Sequence, residues 1–218
     1  MPPRSALLAL ALCLLWLGVP ARGQLGGDDR VPLGELVDVV VLDDEILAVD
    51  AQGSGTLAVA LRVGERVLWQ GSRGLLALVF TDQRVLGVAT RGASWQEVEY
   101  ERGEAPPRDA QLGDRVALVS LPRRVLGFVG PGNRFVETRL GPHQKLRATR
   151  VGANVAVVVT SRDAHGLSSS AGGFFPFDLQ LREEIQRVDA GSNTATLHTD
   201  RRVLVFRSPT ATWAERRH

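Results

Sequence analysis

The sequence predicts an all-β chain built from five like units, each a small antiparallel sheet. Three observations predict it. Similar segments recur at a period of about 39 residues, residue type is held at three columns of that period, and apolar–polar alternation replaces helical spacing throughout the chain beyond its first 23 residues.

The period shows first in three segments: TDQRVLG from Thr81, LPRRVLG from Leu121 and TDRRVLV from Thr199. Taking the last residue of each as an anchor and continuing the period adds Gly166 and Ala48. The five anchors are then Ala48, Gly87, Gly127, Gly166 and Val205, spaced 39, 40, 39 and 39. Ten residues before them stand Asp38, Ala77, Ala117, Ala156 and Ala195, four alanines in five. Eight residues after them stand Thr56, Trp95, Phe135, Phe174 and Trp213, four aromatics in five. Beyond residue 23 the chain holds only 11 aromatic residues, so this column is not chance.

Each unit reads as strands. Runs such as VALV, VAVVV and TATL surround the alanine, and a short turn such as Thr81-Asp82-Gln83 leads into RVLG. That is a hairpin by period and by turn chemistry. The aromatic opens a third strand, as in Trp95-Gln96-Glu97-Val98-Glu99-Tyr100. A fourth segment follows, GERVLWQGS from Gly64, QKLRATRVG from Gln144 and EEIQRVDAG from Glu183. Four strands in 39 residues is the size of a propeller blade, so the predicted architecture is a five-bladed β-propeller of four-stranded antiparallel blades. The alanine fits a strand lying close to a neighbouring blade, the glycine allows close backbone approach, and Trp and Phe fill space between blade faces. The unit is expected to begin at the Ala77-type strand. The last copy would then lack its fourth strand, and Gln24 to Gly34 would complete it; beginning at the GERVLWQGS-type strand instead makes every blade continuous.

The first 23 residues read as an export signal: Arg4, an apolar run from Ala6 to Leu17, breaks at Gly18 and Pro20, and small residues at Ala21 and Gly23 before Gln24. The domain is thus residues 24–218, exported to the periplasm or secreted, with no stable membrane insertion after cleavage. Without the signal 195 residues remain, and 24 basic side chains face 24 acidic ones. The apparent basicity of the full chain is therefore no argument for nucleic acid, and no nucleic-acid partner is expected. Cys13 is the only cysteine, so the exported chain has no disulfide and relies on its core.

The repeat, with its RVALV, TDRRVLGF and aromatic core, resembles small-blade exported bacterial β-propellers of unknown function. The resemblance covers nearly all of residues 24–218. Propellers serve as lectins, hydrolases and scaffolds alike, so it implies an architecture and not an activity.

Sites are sought where the repeat departs from itself. Asp43-Asp44-Glu45 replaces the first unit's turn and reads as a solvated turn. His165 replaces leucine in the fourth unit and reads as a structural histidine. Gly166 to Gly173 reads as a small-residue loop, and GEAPPR from Gly103 as a surface connection. No HExxH, GxSxG or P-loop pattern is present. No catalytic residue, metal site or cofactor is expected. Arg84, Arg124 and Arg202 recur in one column, beside Arg123, Arg162 and Arg201. They are the candidate ligand-binding residues, as a basic rim attracting carboxylates, phosphates or acidic sugars. The competing account pairs each arginine with a turn aspartate, Asp82 or Asp200. The expectation is a monomeric, non-catalytic binding or scaffolding module for a protein, a glycan or a small anion. The alternative is a glycan-acting hydrolase with carboxylates in a central channel.

Overall fold

The computed structural model describes residues 34, 36–51, 55–90 and 92–217. These form five successive antiparallel sheets, with a single 3-10 turn at Gly130–Gly132. The first sheet has three strands, β1 (Val37–Val41), β2 (Glu45–Asp50) and β3 (Thr56–Ala60). The second has β4 (Val67–Arg73), β5 (Leu76–Thr81), β6 (Arg84–Ala89) and β7 (Gln96–Glu99). The third has β8 (Gln111–Leu112), β9 (Val116–Ser120), β10 (Arg124–Val129) and β11 (Arg134–Arg139). The fourth has β12 (Leu146–Val151), β13 (Val155–Thr160), β14 (Asp163–Ser168) and β15 (Gly173–Asp178). The fifth has β16 (Ile185–Ala190), β17 (Thr194–Thr199), β18 (Arg202–Arg207) and β19 (Thr212–Arg217).

Strands follow chain order within every sheet. The unit therefore begins at the GERVLWQGS-type strand, which corrects the expected start at Ala77. A tight turn through Gly74, at φ 55°, folds β4 back onto β5, pairing Ser72 with Ala77. The last sheet is complete from its own four strands and does not need Gln24 to Gly34. A four-stranded first blade is not seen among the described residues. Its opening strand would fall at 28–34, of which only Gly34 is described.

The opening strands of the second to fifth sheets are irregular. β4, β12 and β16 each carry one irregularity in register at the same place, at Leu68, Arg147 and Gln186. β8 is only two residues long, because Pro106 and Pro107 precede it and supply no N–H for pairing with β9.

Each sheet packs its front face on the back face of the next. Leu78, Phe80 and Val85 of the second meet Ala117, Leu126 and Phe128 of the third, and the same columns repeat at the other joints. The alanine column lies on the back faces, fully buried at Ala77, Ala117 and Ala156. The glycine column lies on the front faces. A Cβ on Gly87 would stand 2.8 Å from ring atoms of Phe128 and Phe135, and one on Gly127 2.8 Å from Leu167 and 3.0 Å from Phe174. Glycine is needed because the next sheet's large side chains fill that space. The aromatic column does lie between sheets, as expected, and its tryptophans also hydrogen bond. Trp95 donates Nε1–H to the Leu57 carbonyl of the preceding sheet, and Trp213 to that of Phe175, both at 2.9 Å.

The turns between first and second strands tie the sheets at one end. Leu75 N–H donates to the Asp114 carbonyl, Arg115 to Ala153 and Asn154 to Ser192, each at 2.8 Å.

Candidate functional site

Four connections that enter a sheet share one local structure. In Arg62–Glu65, Glu101–Glu104, Gly141–Gln144 and Gln180–Glu183, the fourth residue's N–H donates to the first carbonyl at 2.8–3.0 Å. The fourth side chain then accepts the first residue's N–H, at 2.7, 2.8, 2.6 and 2.7 Å. The third residue is left-handed at Gly64, Gly103 and Arg182. The turn thus aims a Glu or Gln side chain into the joint between two sheets.

In three of the four joints that side chain meets an arginine. Arg84 donates Nε–H to Glu65 Oε1 at 2.8 Å and Nη2–H to Oε2 at 2.9 Å. Nη2 also reaches the Ala60 carbonyl at 2.8 Å, and Nη1 pairs with Glu97. Arg202 repeats this on Glu183 (2.9 and 2.8 Å), the Asp178 carbonyl (3.2 Å) and Glu215 (2.6 Å). Arg124 does so on Glu104 (3.2 and 2.8 Å), the Glu99 carbonyl (2.8 Å) and Glu137 (3.1 Å). These are bidentate fork pairs. The arginine side chains are 5–6% exposed and their central glutamates 0–1%.

The exposed basic rim is therefore not formed by Arg84, Arg124 and Arg202. They turn into the joints, and their donors are used within the chain. Nor do they pair with the turn aspartates. Asp82 and Asp200 accept backbone N–H of Arg66 (3.0 Å) and Glu184 (2.9 Å). Arg123, Arg162 and Arg201 stay at the surface. Burial alone would raise the glutamate carboxyls. The arginine, backbone and, at Glu65 and Glu183, threonine hydrogen bonds outweigh it and hold Glu65, Glu104 and Glu183 below the usual carboxylate range, Glu183 at about 2.

The fourth sheet replaces every charged member of this clamp together. Gln144 stands for the glutamate, Asp163 for the arginine, Pro176 for the second glutamate and His165 for a leucine. Asp163 accepts from Gln144 Nε2 at 2.7 Å and Thr160 Oγ1 at 2.5 Å, and lies 3.0 Å from His165 Nε2. The other ring nitrogen, Nδ1, is 3.2 Å from Thr138 Oγ1 of the third sheet. His165 is thus partly buried, as expected, and lies edge-on to Phe174.

The remaining candidates are local. Asp43 and Asp44 are exposed on a turn closed by Leu42 N–H to the Glu45 carbonyl. The Gly166 to Gly173 segment is the β14–β15 hairpin, in which Ser168 is fully buried and donates Oγ–H to the Ser208 carbonyl at 2.6 Å. The GEAPPR connection contributes the buried Glu104.

A concavity of about 790 Å³ opens between the first strands of the fourth and fifth sheets, β12 and β16. Arg147, Arg150 and Arg187 line it, with Glu184, Gln186 and Asp189. Both strands are sheet edges, so each has one backbone side without a strand partner in its own sheet. Sequence reasoning missed this groove, since its residues belong to the least regular segment of the repeat.

No family model matches the chain, and no curated protein matches it. Among solved structures it is similar to β-propeller-type proteins. Apo AztD from Citrobacter koseri aligns with a TM-score of 0.36 and 12% identity over 83% of this chain and 59% of that one. A HIRA fragment gives 0.39 and 10% over 84% and 56%, and the N-terminal domain of Nup159 gives 0.35 and 8% over 84% and 58%. The chain spans about three-fifths of the AztD chain.

Proposed function

We propose that this chain is an exported binding or scaffolding module, that its five sheets serve as the blades of a β-propeller-type fold, and that its ligand seat is the groove between β12 and β16. The observation that supports the reading is where the charges lie. A glycan hydrolase needs a carboxyl kept protonated near neutral pH to act as general acid. The three deeply buried glutamates are pushed the other way, and each is spent on an arginine. The groove, in contrast, presents charged side chains of both signs and two edge strands to solvent. Such a surface suits an extended polar ligand, a peptide or a glycan carrying acidic groups, held by arginine forks and edge-strand backbone.

Screening immobilised peptides and glycans for binding tests the seat. A ligand held there should be lost when Arg147→Glu and Arg187→Glu are combined, with thermal melting unchanged. Binding that survives the double change places the seat elsewhere. Export has its own test: mass spectrometry of the secreted protein should find Gln24 at the N-terminus. A retained Met1 to Gly23 segment or an acylated Cys13 would contradict it.

A further inference from the structure

The first and last sheets depart from the repeat on the faces that meet no other sheet among the described residues. On the back of the first sheet, the alanine column holds Asp38 and the aromatic column holds Thr56. Val40 is 40% exposed there and Val49 37%, where Val79 and Val88, their counterparts in the second sheet, are at most 1% exposed. On the front of the fifth sheet, the glycine column holds Val205, and Thr194, Thr196, His198 and Arg207 replace residues that are mostly apolar elsewhere. Thr194 and Arg207 are exposed, and Val203 and Val205 are half-buried.

The two departures are complementary in size. At three of the four inner joints a glycine on the front receives an aromatic from the next back face, and at the first the small Ala48 does so. At the ends the front carries the larger Val205 and the back carries the smaller Thr56. Volume is exchanged across the joint, which close packing requires of partners that fit. They are also complementary in charge. Along its strands the back of the first sheet carries Asp38 and Glu45 and no Lys or Arg, whereas on the front of the fifth β17, β18 and β19 carry Arg207 and Arg216 and no acid.

We propose that the front of the fifth sheet docks on the back of the first sheet of a second copy of the chain, head to tail. Among the described residues neither face packs on another sheet, and one copy of the chain offers both, so a second copy supplies a partner for each. Such a heterologous contact joins two copies into a closed ring or many into a filament, according to the angle at the joint. The inner joints also give its register. The anchor glycine packs on the residue following the next sheet's anchor: Gly87 on Phe128, Gly127 on Leu167, Gly166 on Phe206. By the same step Val205 meets Val49 of the other copy.

Single-cysteine variants Val49→Cys and Val205→Cys, each in a Cys13→Ser background, test this when mixed and treated with a short bis-maleimide. The expected product is the mixed dimer, in preference to either homodimer. Sedimentation should show mass rising with concentration in the micromolar range, and Val205→Arg should weaken association at least roughly tenfold, since an unpaired charge is then buried at the joint. Both positions are at least partly exposed in one chain, so unchanged far-ultraviolet dichroism and melting will show that the variants fold. A chain that stays monomeric, a preference for homodimers, or a double-cysteine variant that cross-links within one chain overturns the proposal. The last outcome would mean that the five sheets close on themselves.

Discussion

The joint between the second and third sheets and the joint between the third and fourth are built at the same register with opposite chemistry. The former buries Arg124 between two glutamates and a carbonyl. The latter half-buries Asp163 among Gln144, Thr160 and His165. Both leave no buried side-chain polar atom unpartnered among the described residues. The difference teaches that the repeat conserves satisfaction of a polar joint rather than any one residue. A buried arginine placed alone in the fourth sheet would lack an anionic partner at Gln144, so the replacements come as a set.

The comparison breaks most visibly if one half of a clamp is removed. Arg202→Met leaves Glu183 buried without its counter-charge and should cost about 3–5 kcal/mol in denaturant unfolding. Asp163→Asn, where every partner is neutral or able to change its tautomer, should cost only about 1 kcal/mol. Equal losses at the two sites would mean that the arginine forks carry no special weight.

Acid separates the joints without mutation. Glu65, Glu104 and Glu183 bind protons less readily folded than unfolded, so their stabilisation is full above the ordinary carboxyl value of about 4.5 and is lost as pH falls below it, for Glu183 toward about 2. Gln144 does not titrate. Glu183→Gln should therefore flatten the stability profile between about pH 4.5 and 2 relative to the parent chain. An unaltered slope would show that this carboxylate is not the group being protonated.

Much of the fold was legible because packing between sheets leaves marks on single columns. Glycine faces an aromatic across three of the four inner joints, and the eye finds them. The clamp was half legible. Its arginines recur in register, but their partners hide, since a one-residue insertion shifts Glu104 relative to Glu65, Gln144 and Glu183. The turn aspartates, nearer in sequence, drew attention instead. What would have found the glutamates is the four-residue turn pattern, with Gly or another left-handed residue before Glu. Unit boundaries were misread for a related reason: alternation marks a strand but does not say which neighbour it pairs with.

The glycine column sharpens the comparison between inner and end joints. Gly127→Ala pushes a Cβ against Leu167 and Phe174 and should cost about 1–3 kcal/mol by overpacking. Val205 occupies the same column on an open face, so Val205→Ala should cost less than about 1 kcal/mol in the monomer. Thermal or denaturant melts of the two variants compare them directly, and a larger loss at Val205 would place a neighbour on that face in the monomer.

The smallest expected effect comes from the turns themselves. Gly64 and Gly103 take the left-handed conformation without steric cost, whereas Arg182 holds φ 61° at the same position of the turn before the fifth sheet. A side chain there strains the backbone by about 1 kcal/mol, because its Cβ crowds the neighbouring carbonyl. Glycine removes that strain but gives the unfolded chain more freedom, which offsets about half of the gain. Arg182→Gly should then stabilise the chain by about 0.5 kcal/mol, since the turn's hydrogen bonds run through Gln180 and Glu183 and do not use the Arg182 side chain. The same substitution at an exposed strand position such as Arg216 should destabilise instead, by about 0.5–1 kcal/mol. Opposite signs at the two sites, read from denaturant midpoints, would tie the effect to the turn; a loss at Arg182 would mean that its side chain contributes more to the joint than its backbone strain costs.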